Sequence, residues 1–292
     1  MKRILFLCAA SLLLLACSND DNGPNEPRTL KIKKFTSIDF KLDAPGTPTG
    51  GSIEYSFDEN GIFIHKKTVE NYLDVLYTYF EYYTYNQLGQ LTEIYKTYVD
   101  YNVDETREYS YDSENRLTHI KRIVVDHPPI TLTELTYQQP NEVRIEHSSG
   151  FIDVFVYHNN ILSNIGRTFD FGGSGETLSY DANNNIIEIA ITDYVGTKNT
   201  NRNYSYDDKI NPLYPYFNEN PYNFFGENNF QVHSCHLFFS PNNSTSEIVT
   251  SWHPDNAYTI TKTFQYNQVG YPISAIVKKN DVLFKEFTYE YY

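Results

Sequence analysis

The chain has 292 residues, with 23 Lys+Arg against 37 Asp+Glu and a net charge of −14. Such a balance argues against nucleic acid as a partner, because a nucleic-acid binder shows a basic patch or stripe. Aromatic residues make up 16% of the chain, 27 of them Tyr and 19 Phe, so its bulk carries enough apolar surface to fold.

Residues 1–16 read as an export signal. Lys2 and Arg3 form the charged start, and Ile4 to Ala16 form an apolar run of 13 residues, short of the roughly 20 that a bilayer-spanning helix needs. The run ends Leu14-Leu15-Ala16-Cys17, which resembles the lipobox of bacterial lipoproteins. That resemblance implies cleavage before Cys17 and a diacylglycerol on its thiol, making Cys17 the lipid attachment site and the membrane the first partner. Residues 17–28 continue as a polar tether, Ser18-Asn19-Asp20-Asp21 and then a Gly/Pro/Asn stretch with nothing to bury. Acidic residues directly behind the Cys resemble the signal that sends Bacteroidota lipoproteins to the outer face of the outer membrane; simple solvated linker charge is the other reading. Cleavage removes Cys8 and lipidation consumes Cys17, leaving the thiol of Cys235 alone and no internal disulfide. Loss of Lys2 and Arg3 takes the basic count from 23 to 21 against 37 acidic, a net charge of −16, so acyl chains and not a basic patch must hold the protein to lipid.

Residues 29–292 read as a single domain built on a repeat. Tyr83-Thr84-Tyr85-Asn86-Gln87-Leu88-Gly89-Gln90-Leu91-Thr92-Glu93-Ile94 nearly superimposes on Tyr109 to Ile120 and on Leu178 to Ile189. Looser copies centre on Tyr137, Tyr157, Tyr206 and Tyr266, and a half-copy follows at Phe287-Thr288-Tyr289. Alternating Tyr and small polar residues have the period of a half-buried strand. Asp or Asn then opens a turn, and Gly or Asn further on supplies positive φ. The Leu-x-x-Ile half returns as the partner strand, and its spacing of three breaks alternation, predicting a bulge that bends each hairpin. Phe151 to Tyr157 is apolar on both faces and is expected to be covered on both sides. Glu70 to Tyr85 comes nearest to helical periodicity, but its Tyr, Phe and Thr favour strand. The fold class is therefore all-β, a long curved antiparallel β-meander of repeated hairpins, forming an open barrel or shell.

The wide gap between the copies at Tyr206 and Tyr266 marks an insertion or a decayed copy near Phe239. The insertion, near 209–230, carries three prolines that forbid a central strand. Its aromatics interleave with Asn, which suits stacking on sugar rings and hydrogen bonding to hydroxyls. Tyr214, Tyr216, Phe217, Tyr222 and Phe224 are the candidate ligand-binding residues. The alternative is a plug, in which Tyr214, Phe217, Phe224 and Phe225 fill the concave face of the sheet. His233-Ser234-Cys235-His236 has zinc-ligand residue types but lacks a second pair at suitable spacing. Asp58-Glu59-Asn60-Gly61 and Asp181 to Asn185 echo calcium loops without the terminal Glu, and read as ordinary turns. No nucleophile elbow, zincin motif or P-loop is present, and Trp252-His253-Pro254-Asp255 has no nucleophile to serve.

The Tyr-Asp-x-x-x-x-Leu-x-x-Ile pattern, clearest at Tyr85, Tyr111 and Tyr180, resembles the YD repeats of Rhs-type proteins. With the lipobox, the chain is similar to Bacteroidota outer-membrane lipoproteins with YD-like repeats, over roughly residues 50–292. The resemblance implies strand architecture, not encapsulation of a toxin or any catalytic residue. The expectation is a non-catalytic lipoprotein at the cell exterior, without cofactor or metal, whose scaffold binds a glycan or protein partner. A structural or assembly part of an envelope complex is the alternative, and a carboxylate-based glycoside hydrolase a third reading.

Overall fold

The computed structural model describes residues 30–292 except 45, 100–103, 140, 160, 170–171, 193–197, 216–239 and 252–253. Its strands are β1 (Ile32–Phe40), β2 (Pro48–Phe57), β3 (Phe63–Tyr72), β4 (Val75–Tyr85), β5 (Leu91–Tyr98), β6 (Asp104–Tyr111), β7 (Leu117–Val124), β8 (Ile130–Gln139), β9 (Glu142–His147), β10 (Ile152–His158), β11 (Ile161–Phe169), β12 (Gly172–Tyr180), β13 (Ile186–Thr192), β14 (Lys198–Ile210), β15 (Asn242–Ser251), β16 (Tyr258–Tyr266), β17 (Pro272–Lys279) and β18 (Val282–Tyr291). Each pairs antiparallel with the next, and β1 pairs with both β2 and β18. The 18-stranded sheet thus closes into a barrel, which removes the free edges that an open shell would expose.

The repeat explains the hairpins atom by atom. In the turns from Asp58, Asn86, Asp112, Asp181 and Asn267, side-chain Oδ1 accepts from the backbone N–H groups two and four residues on. The residue three positions on has positive φ and is Gly61, Gly89, Asn115, Asn184 or Gly270. The expected bulge is present where the return strand begins. Tyr111 faces Leu117 while Ser110 faces His119, leaving Thr118 over; Thr92 and Ile187 are left over in the same way. Thr92 and Thr118 turn the extra residue to use, donating their hydroxyls to the carbonyls of Thr84 and Ser110. All these turns lie at one end of the barrel, called below the Asx end.

The anchor Tyr joins one hairpin to the one before it. The hydroxyls of Tyr111, Tyr137, Tyr180 and Tyr206 donate to the carbonyls of Leu91, Leu117, Leu162 and Ile186 at 2.6–2.9 Å. Tyr291, not the Tyr289 that the spacing suggested, makes this latch in the last copy, to Pro272. The half-copy at the end of β18 is completed by β1. Tyr291 faces Ile32, a bulge follows at Lys33, and Tyr292 N–H donates to the Lys31 carbonyl as Asp112 N–H does to Arg116. The barrel is closed by a hairpin whose turn is cut.

Apolar side chains point inward in two clusters, one around Leu117, Ile120, Ile186 and Ile189, the other around Phe35, Phe57, Phe63 and Phe287. The first four are 0% exposed. An 18-stranded ring held round would leave a wide lumen, so this burial requires the walls to close on each other. The outer wall is mixed, with Glu108, Ser110, Thr261, Thr263, Thr288 and Glu290 exposed and Ile38, Tyr82, Ile248 and Ile276 exposed among such polar residues. A membrane-spanning barrel carries a continuous apolar outer band instead. Phe151 to Tyr157 departs from expectation. Asp153 and Phe155 face the core, but Ile152, Val154 and Val156 are half-buried, opposite Glu146, Arg144 and Glu142 of the next strand. The aliphatic stems of long charged neighbours can cover such positions without a second layer.

Candidate functional site

Of the residues singled out in the sequence, Tyr214 alone among the ligand candidates is described. Cys17, Tyr216, Phe217, Tyr222 and Phe224 lie outside the described residues, as do Phe225, His233, Cys235, His236, Phe239, Trp252 and His253. The aromatic candidates other than Tyr214 are therefore not placed by the structure. It does show how the insertion is rooted. Asn211 N–H donates to the Pro241 carbonyl, its Nδ2 donates to Ser240 O, and its Oδ1 accepts from Leu213 N–H. Leu213 is buried in the second apolar cluster, beside Phe35, Phe287 and Tyr289. Leu213 thus packs into the interior, while Tyr214 stays half-buried, its hydroxyl pushed up in pKa by that burial.

Beside this root is an open depression of about 610 Å³, lined by Asn183, Tyr206, Asp207, Asp208, Pro241 and Asn242. The repeat places it there by failing. After Tyr206 the Asx turn is absent; β14 runs on through Asp207 and Asp208 to Ile210. Asp207 is committed, its Oδ1 to Lys209 N–H and its Oδ2 to the Tyr266 hydroxyl. Asn242 is held on three sides by Asn185 and Lys209. Asp208 is exposed and held below the usual carboxylate range by a hydrogen bond from Lys209 and by its charge. The departure from the Tyr-Asp-x-x-x-x-Leu pattern at 206–210 is the signal that could have located this hollow in the sequence.

Toward the far end, the interior carries a belt of buried ions that alternation did not announce. Asp153, 2% exposed, accepts from Arg167 at 2.6 and 2.7 Å and lies 3.0 Å from His147 Nε2. Burial pushes its carboxyl up, but the bonds from Arg167 and His147 hold it below the ordinary range. Glu105 lies between Arg107 and Arg122, and Glu247 pairs with Arg202 at 2.6 Å. Lys262, inward-facing on β16, donates to Ser244 at 3.1 Å and is pushed down to about 8 by burial. Every carboxylate whose shift is resolved among the described residues is held low, namely Asp104, Glu105, Asp112, Asp153, Asp181 and Asp208. A general acid at neutral pH needs the reverse. Among the described residues no three His, Cys, Asp or Glu side chains group as metal ligands.

Among the described residues the most exposed apolar feature is the β3–β4 tip at the far end. Tyr72 is 66% and Leu73 81% exposed, and Val75 and Leu76 follow at 50% and 48%. Leu73 and Asp74 both have positive φ, at 52° and 64°. That is the geometry of a two-residue type I′ turn, where Asn-Gly is favoured.

No protein-family model matches the chain, and no curated protein does either. Among solved structures it is similar to a porin-like protein of Bacteroides uniformis, at 11% identity and a TM-score of 0.37, over 89% of this chain and 98% of that one. A porin-like protein of Bacteroides vulgatus gives the same identity and score over 90% and 99%. The TcdB2-TccC3 protein gives 14% and 0.34 over 81% of this chain and 12% of that one. At these scores the closed barrel rests on its own strand pairings.

Proposed function

We propose that this protein is a non-catalytic lipoprotein, anchored through Cys17 to the outer membrane with its barrel at the cell exterior, whose β-scaffold binds a protein or glycan partner. The observation that carries the binding reading is the β3–β4 tip. A leucine in left-handed geometry costs roughly 1–2 kcal/mol, and exposing it gains nothing for the fold. Local rules are broken in this way where function requires it. The ion-paired, low-pKa carboxylates support a scaffold and not a hydrolase. Leu73→Asn tests the reading, because it relieves the backbone while removing the apolar contact. A photo-crosslinker at Val75 in the cell envelope should trap a discrete partner, and Leu73→Asn should reduce the adduct while raising the melting temperature. Trapping unchanged by Leu73→Asn would remove the tip from the binding surface. A glycan has its best-fitting chemistry at the other end, in the Asn/Asp/Tyr depression. A glycan-induced thermal shift abolished by Asn183→Ala and Asp208→Ala would favour that partner class over a protein.

A further inference from the structure

The chain enters the barrel at the Asx end, where Ile32 opens β1 and Tyr292 N–H meets the Lys31 carbonyl. The tether from Cys17 therefore leaves from that end. Exposed apolar side chains on the Asx end are gathered around this exit. Ile62, Ile64, Leu88 (69%), Val269 (58%), Ile273 and Tyr292 all lie on the neighbouring strands and turns between β16 and β5, passing through the cut hairpin of β18 and β1. The rest of the ring is different. Among the described residues its turn tips include Ser113-Glu114 and Ala182-Asn183, and its bulges at Thr118, Ser163 and Thr245 carry hydroxyls bonded to carbonyls across the hairpin; Ile187 and Ile210 are the exceptions. Charges on the arc are mixed, with Lys31, Lys33 and Glu59 exposed and Asp58 used in its turn.

We propose that this arc is a membrane-facing surface, which seats the Asx end on the headgroup–acyl boundary of the bilayer that holds the tether and turns the β3–β4 tip to solvent. The inference rests on the lipid-anchor reading of Cys17. Residues 18–31 reach at most roughly 45–50 Å when extended, enough to let either end of a barrel about 30 Å tall face the lipid. The tether alone does not choose an end. The far end also exposes apolar side chains, at Leu42, Tyr72, Leu73, Val99, Val125 and Ile130; the arc is favoured because it combines exposed aliphatic and Tyr side chains, which partition into the interface, with the tether exit, where the local concentration of bilayer is highest. With both signs of charge on the arc, zwitterionic lipid suffices.

The test uses the mature full chain in phosphatidylcholine vesicles, in a Cys235→Ser background, with one environment-sensitive label at Leu88→Cys or Val269→Cys, or at the far-end tips Leu73→Cys or Asp281→Cys. All four positions are exposed turn tips, so the label leaves the core intact. Quenching by brominated acyl chains should be at least about threefold greater at 88 and 269 than at 73 and 281, since interfacial side chains sit only about 5–10 Å deep. Adding Leu88→Asp should weaken quenching at 269 without changing flotation of the lipidated protein. Equal quenching at both ends, or stronger quenching at 73, overturns the proposal. The anchor is judged separately, by the intact mass of the envelope-extracted protein. If that mass lacks diacylglycerol, the anchor reading fails, and the same quenching comparison on protein coupled at Cys17 to a maleimide lipid still decides the arc.

Discussion

Asp153 and Lys262 are buried charges with opposite consequences. The Asp153 carboxyl is held below its ordinary value of 3.8 mainly against burial and by Arg167 and His147. Its contribution is therefore fully present above about pH 4 and lost as pH falls through the folded value. Asp153→Asn should cost up to about 3–5 kcal/mol, because it removes the buried carboxylate that Arg167 and His147 bond to, as urea unfolding at pH 7 would report. Lys262 titrates near 8 when folded against 10.5 when not. Between those values the unfolded chain binds more protons, so stability should rise with pH across that window. Above about pH 10 the buried tyrosines reverse the trend, since Tyr204 and Tyr289 are pushed up by burial and keep phenol protons that the unfolded chain loses. Lys262→Met should stabilise by roughly 1–3 kcal/mol at pH 7, with Glu247 still paired to Arg202, and should abolish the rise in urea midpoint between pH 7.5 and 9.5. Neither residue was legible as buried in the sequence. Each alternates onto the same side as an apolar neighbour, Phe155 or Phe264, but a charge at such a position is ordinarily an argument against burial, and the partners lie on other strands.

At the scale of the hairpin, sequence and structure agree because the signals are local. An Asx side chain reaches N–H groups two and four residues away, positive φ is demanded at one position, and the Leu-x-x-Ile spacing forces the bulge within the same dozen residues. The latch spans about 20 residues, between hairpins, so the repeated Tyr was visible while the reason for its hydroxyl was not. Tyr111→Phe should cost about 1–2 kcal/mol by leaving the Leu91 carbonyl short of a donor, whereas the same change at Tyr82, on the outer wall, should be near neutral in thermal melts. Leu73→Asn should stabilise by about 1 kcal/mol. The candidate site was less legible than the hairpins. The insertion announced itself by composition, yet the depression at its root became visible only when the missing turn after Tyr206 was compared with its neighbours, and the apolar β3–β4 tip read simply as strand.

For the whole molecule, closure was hidden because no turn residues connect Tyr292 to Lys31, although both half-copies were present in the sequence. A circular permutant that joins Tyr291 to Ile32 through an Asn-Gln-Leu-Gly-Gln turn in place of Tyr292 and Lys31, with new termini between Asn280 and Asp281, should fold to the same barrel and melt within a few degrees of the parent; failure to fold would mean that the cut hairpin is not equivalent to the others. Pairing β1 with β18 also fixes an order of events. The chain emerges from its amino end, so β1 waits for β18, the last strand, before its second side is covered. During that interval one side of Ile32–Phe40 offers unpaired N–H and C=O groups to any other strand within reach. Among the described strands the finished ring has no edge for a second copy to extend, but the incomplete ring does, so the risk of strand exchange between copies is confined to the interval before β18 docks.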